Sequence, residues 1–251
     1  MTDRALASTL HRRRLLGAGV ALGIGLLLGA QALAETVRGE GAYRTEARPV
    51  PGTTAVVLGL PIRVSVVVGE REEITLSGDE SLLPLIETVV DNGVLQIRPV
   101  RRNLDLRPRQ ALMAVLNVRS LTRASIAGSG ELRLPAYKTP LLELSISGSG
   151  DIHLRDTEIR KLSVAISGSG NVRGSGTAED SSIRIAGSGD VRLEDLQAKA
   201  VEVRIAGSGD ARVNATETLS VRIAGSGDVR YRGEPKLTKS IAGSGDVSPI
   251  R

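Results

Sequence analysis

The 251-residue chain has no cysteine, no phenylalanine and no tryptophan. The lack of cysteine rules out disulfides, thiol chemistry and a lipoprotein anchor, so whatever stability the chain has must come from its core. Tyr43, Tyr137 and Tyr231 are the only aromatic residues, which leaves few platforms for stacking bases or sugar rings. His153 is the only histidine beyond the N-terminal segment, so no histidine pair is available for a metal. Strong charge of one sign is missing too. Residues 1–34 carry four arginines and one aspartate, and without them the net +5 of the whole chain falls to +2. That balance is too weak to argue for nucleic acid.

What the chain has in abundance is a repeat. Gly-Ser-Gly followed by Asp, Asn or Glu begins at Gly128, Gly148, Gly168, Gly187, Gly207, Gly225 and Gly243, at intervals of 20, 20, 19, 20, 18 and 18 residues. A fixed period near this length, with one alternating apolar run and one turn signal per unit, is the signature of a solenoid whose units bury a core only by stacking. Around Ile185, one parity carries Ile185, Gly187, Gly189, Val191 and Leu193, and the other carries Ala186, Ser188, Asp190 and Arg192. This is the period of two of a half-buried strand. Ile126, Ile146, Ile166, Ile205, Ile223 and Ile241 occupy the same place in the other units. Glycine inside a strand forfeits packing, so two on the inward parity mark a sharp corner where the backbone needs positive φ or close approach.

The expected fold is therefore all-β, a single-stranded parallel β-solenoid of about 18–20 residues per coil, for which a right-handed path is the default. Coils stacked at about 4.8 Å would place each isoleucine over the next. An antiparallel meander of hairpins would share the alternation, but it gives no reason for one tetrapeptide to recur at one corner.

Residues 1–34 read as a signal peptide: Arg12, Arg13 and Arg14, an apolar run from Leu15 to Leu28, then Ala32-Leu33-Ala34 as a cleavage site. Both Sec and twin-arginine export fit, and an uncleaved segment would serve as a membrane anchor. Residues 35–52 read as a linker or irregular first coil, 53–124 as an atypical start of the solenoid, and 125–251 as its regular part. Within the middle region, Asn92-Gly93 signals a hairpin and Ser81 to Val90 a short helix.

The stretch Ile62 to Val68, the segment Leu82 to Ile97 with its Asp91-Asn92-Gly93 turn, and the Ile-Ser/Ala-Gly-Ser-Gly-Asp-Val runs together resemble a bacterial family. It is described as putative auto-transporter adhesin with a head GIN domain. The resemblance covers the chain from about Thr53 onwards and implies an extracytoplasmic β-solenoid, with adhesion suggested chiefly by the family's name. Nothing after Gly243 could form a membrane β-barrel, so self-export by that route is not expected.

On the outward parity lies a row of acids interrupted by one amide, Glu131, Asp151, Asn171, Asp190, Asp210, Asp228 and Asp246. Two places later stands a row of cations, Arg133, His153, Arg173, Arg192, Arg212 and Arg230. Carboxylates about 4.8 Å apart repel by roughly 1 kcal/mol even in water, so the acids need compensation. Turn N–H groups and the neighbouring arginines can supply it. A calcium ladder and a polar ligand are the alternatives; Asp directly after the second glycine, once per coil, departs from calcium-binding nonapeptides. These rows are the candidate binding surface, and no catalytic residue, metal site or cofactor is expected. The function expected is non-catalytic, an adhesin or scaffold of the periplasm or cell exterior, monomeric, with an envelope or surface component as partner. The alternative is a polysaccharide hydrolase or lyase built on a solenoid.

Overall fold

The computed structural model describes residues 35–250; the signal segment expected over 1–34 lies outside the described residues. The fold is nearly all β, a solenoid of about six turns. Its two long columns of strands are parallel. One runs through Val94–Pro99, Ala55–Leu58, Arg123–Gly128 and Lys138–Gly148, and then through the long strands that follow to Lys236–Gly243. The other runs through Met113–Val118, Arg63–Val68 and Glu131–Leu134, then the same long strands, to Val247–Pro249. The seven first glycines, Gly128 to Gly243, are in register from one coil to the next. The period read from the sequence is therefore the coil.

Before the last coil the inward column of isoleucines is closed to solvent. Ile126, Ile146, Ile166, Ile185, Ile205 and Ile223 are each at most 3% exposed. The two glycines of each corner have different tasks. The first has φ near +130°, as at Gly187 (129°) and Gly207 (134°), a conformation that a side chain resists. The second is needed for closeness: a Cβ on Gly209 would lie 2.3 Å from the carbonyl oxygen of Gly189 and 2.8 Å from Cγ2 of Ile185. The isoleucine of one coil thus occupies the space that the second glycine of the next coil leaves empty. This is why glycine sits on a buried parity without opening a cavity.

The first coils do not stack in chain order. The coil of residues 55–68 lies between that of 94–118 and that of 123–134. The intervening chain leaves the parallel columns and closes the end of the stack with antiparallel strands. Glu73–Asp79 pairs with Met113–Val118 on one side and with Tyr43–Pro49 on the other. Ile86–Asp91 pairs with Val94–Pro99 across a turn in which Asn92 and Gly93 take φ of 48° and 77°. Positive φ at both central residues is the geometry that suits a two-residue hairpin. The short helix expected over 81–90 is corrected by the structure: one 3-10 turn, Leu83–Leu85, forms, and Ile86–Asp91 is strand. Pro84 sits at the start of that turn. The β-branched residues Ile86, Thr88, Val89 and Val90 favour the extended pairing that follows.

Arg48 ties the two outermost strands of this cap together. Its side chain, 19% exposed, donates through the guanidinium to the carbonyl oxygens of Ile86 (2.5 Å) and Leu83 (2.9 Å) and pairs with Glu46 at 2.9 Å. Arg48→Ala takes the guanidinium from both carbonyls, that of Leu83 keeping only the N–H of Ile86, and is expected to cost about 2 kcal/mol, the scale of a charge-assisted hydrogen bond. Arg48→Lys should restore only part, because a single ammonium lacks the fork that spans two acceptors. Amide hydrogen exchange over 43–49 is the check; unchanged protection in Arg48→Ala would show that the clamp contributes nothing.

Candidate binding faces

The corner and the strand after it carry the acid and cation rows. Glu131 pairs with Asp151, Asp151 with Asn171 and Asn171 with Asp190 across neighbouring coils, and the cations from Arg133 to Arg230 are stacked in the same way. The structure thus brings Asp151, Asp190, Asp210, Asp228, Asp246, Arg192, Arg212 and Arg230 onto one face. Most of the acids are engaged within the fold. Asp210 Oδ1 accepts the backbone N–H of Asp228 at 2.8 Å, and Asp228 Oδ1 accepts that of Asp246 at 2.9 Å. Asn171 donates its amide to Asp151 Oδ1 at 2.9 Å, so the one uncharged member of the row bridges to its neighbour. Asp190 meets Arg192 at 3.4 Å.

Glu131 takes the most. Arg63 Nε lies 2.7 Å from Oε2, Arg133 contacts Oε1, and His153 Nε2 is 3.6 Å from Oε1. Burial works to raise its pKa, but the hydrogen bonds from Arg63 and Arg133 outweigh it and hold the carboxyl below the usual range. Among the described residues no cluster of acids or histidines could hold a metal ion. Arg212 lies 3.8 Å from Glu194, and Arg173 and Arg230 have no carboxylate in ion-pair contact among the described residues. With Arg232, which binds Asp195 at 2.9 Å, Arg212 and Arg230 line a notch beside the last coil.

A second row lies on the outer face of the other column, and the sequence reading missed it. Arg184, Arg204 and Arg222 are stacked in register, each immediately before an inward isoleucine. Beside them run Ser147, Ser167, Ala186, Ala206 and Ala224, also in register. These side chains line a shallow groove of about 550 Å³ that follows the solenoid axis. Glu202 is the acid in contact with the row, meeting both Arg204 and Arg222, while Arg184 has no carboxylate in ion-pair contact among the described residues. The signal was in the sequence: three units read Arg-Ile-Ala-Gly-Ser-Gly-Asp. This row precedes the glycines, whereas the acid and cation rows follow them.

The family with the description "Putative auto-transporter adhesin, head GIN domain" matches residues 53–235, most of the described solenoid. The chain belongs to this family. Solved structures of similar fold include a putative lipid binding protein from Parabacteroides distasonis, 26% identical, which covers 86% of this chain and 100% of its own with a TM-score of 0.73. A putative adhesin from Bacteroides fragilis is 22% identical, covers 85% of this chain and 100% of its own, and has a TM-score of 0.80. A putative adhesin from Parabacteroides merdae is 21% identical, covers 87% and 100%, and has a TM-score of 0.68. At such identity the last two share the fold with this head GIN chain. No curated protein matches it.

The last described coil of the head GIN solenoid departs from the repeat. Lys239 pairs with Val221 and so stands in the inward column, yet it is exposed. Pro249 pairs with Tyr231 in the other inward column and is exposed as well. An inward charge and a residue without an N–H both discourage a further strand from adding to an edge.

Proposed function

We propose that this head GIN chain is an exported, non-catalytic binding protein of the bacterial envelope, periplasmic or secreted, which attaches to an envelope or surface component through a rigid repetitive face. The observation that carries this reading is the unbroken register of the outward rows from the Gly128 corner to the Gly243 corner. A stack held by continuous backbone ladders presents side chains at a fixed spacing, which suits attachment to an extended partner. The family's description and the putative adhesins of like fold agree with it. Chemistry, in contrast, needs differentiated groups at one place, and the acids here recur in all but one coil and most are spent on contacts within the fold.

Nucleic acid is a poor partner for a net charge of +2 outside the first 34 residues and no stacking aromatics. The described residues contain no helix long and apolar enough to cross a membrane, so membrane contact would rest on the N-terminal segment if it is retained. Lys239 and Pro249 favour a monomer, because they hinder end-to-end stacking.

The test is retention of the purified chain, residues 35–251, on bacterial envelope fragments, together with incubation on envelope and plant polysaccharides. Retention without release of reducing or unsaturated ends is expected. Cleavage of any of these polymers would overturn the non-catalytic reading, and failure to adhere to any envelope fraction would overturn the adhesive one.

A further inference from the structure

The groove over Arg184, Arg204 and Arg222 has a chemistry of its own. The cation row two places after the glycine corner is accompanied by the acid row, so its charge is largely matched on the same face. The Arg184 row contacts Glu202 alone, which sets three arginines against one carboxylate in a groove whose other outward-facing side chains are Ser and Ala. Guanidiniums in register at about 4.8 Å repel one another, and such an arrangement is relieved by an anion that spans several coils. The floor is narrow and shallow because its side chains are small. Ala186, Ala206 and Ala224 offer methyl groups, and Ser145, Ser147, Ser167 and Ser240 offer hydroxyls at either end of the row.

We propose that this groove binds a linear acidic polysaccharide, laid along the solenoid axis with its carboxylates on Arg184, Arg204 and Arg222. A uronate chain has the three surfaces that the groove asks for. It carries carboxylates at regular spacing for the guanidinium forks, C–H faces for the alanine floor, and hydroxyls for the serines. Duplex DNA fits poorly, since its affinity depends on many phosphate contacts and only three cations are present. A lipid surface fits poorly too, because no aromatic or large apolar side chain projects from the groove. The proposal rests on the adhesive reading above and names the class of ligand for it.

The experiment is affinity electrophoresis of the chain comprising residues 35–251 through gels containing polygalacturonate, with dextran and duplex DNA as comparison matrices, at physiological ionic strength. Polygalacturonate should retard the protein and dextran should not. The triple variant Arg184→Gln/Arg204→Gln/Arg222→Gln should bind at least about tenfold more weakly, as the loss of several charge-assisted hydrogen bonds implies. A charge-matched triple variant away from the groove, Arg101→Gln/Arg102→Gln/Arg109→Gln, at exposed positions after the strand Val94–Pro99, should stay close to the parent. Glu202→Gln should bind more tightly, because it removes the one carboxylate in ion-pair contact with the row. Circular dichroism melts of every variant check that the fold is intact.

No retardation by polygalacturonate, equal weakening of the two triple variants, or equal retention on DNA would overturn the proposal. If the parent chain still adheres to envelope fragments in any of these cases, the class of ligand is wrong and the adhesive reading stands. If it adheres to none, the adhesive reading fails as well.

Discussion

Gly207→Ala is expected to lose about 4 kcal/mol of stability, near the limit of what a single substitution does. Two separate penalties combine at this position. The backbone has φ +134°, where a side chain adds strain of about 1–3 kcal/mol. The new Cβ would also lie 2.3 Å from the carbonyl oxygen of Gly187 in the coil below, and it would meet backbone that cannot rotate aside. Relief would have to come from parting the two coils, at the expense of the ladder that joins them. For a chain of this size the loss corresponds to a melting temperature lower by about 8–16 °C. Ser208→Ala, one residue further and pointing outward, should stay within about 0.5 kcal/mol of the parent. Thermal melts that coincide for Gly207→Ala and Ser208→Ala would show that the coils are not in the close contact described.

Ile205→Ala should have an effect of similar size, about 2–5 kcal/mol, the range for truncating a buried aliphatic side chain. Ile205 is 2% exposed, is stacked between Ile185 and Ile223, and places Cγ2 against Gly227 of the next coil. Because the glycine has no side chain that could move in, the void cannot close by local repacking, and the cost should fall in the upper part of that range. A second prediction follows from the same contact. Gly227→Ala, which would clash with the Gly209 carbonyl oxygen at 2.0 Å, should not be rescued by making room at Ile205, since the nearest obstacle is backbone. A double variant Ile205→Ala/Gly227→Ala more stable than Gly227→Ala alone, by urea midpoint, would contradict this.

The regular half of the molecule could be read from the sequence because its information is local and repeated. Alternation by two decides which residues face inward. A period of 18–20 decides which residues lie over one another, so the Ile126 to Ile223 column and the acid and cation rows from Glu131 to Asp246 follow from counting. The Arg184, Arg204 and Arg222 row was equally countable. What counting could not supply is that small side chains next to it leave a recess and that Glu202 is the acid the row contacts, because both depend on which side chains meet across coils. Lys239 in the inward column was countable too, by its offset from Val221.

Residues 35–124 were different, because their strands are short and carry no repeat. Alternation within Ala55–Leu58 or Met113–Val118 tells which side is buried but not which strand lies alongside. That the coil of 94–118 stacks beneath that of 55–68, out of chain order, is decided by tertiary pairing alone. So is the antiparallel turn-back of Glu73–Asp79, which pairs the edge strand Met113–Val118 and is itself covered by Tyr43–Pro49. The physical reason is the same for both. An exposed parallel edge leaves a row of N–H and C=O groups unpaired, and any segment of the right length and alternation can satisfy them. The choice among such segments rests on long-range contacts, such as Arg48 reaching Leu83 and Ile86, that no local pattern records.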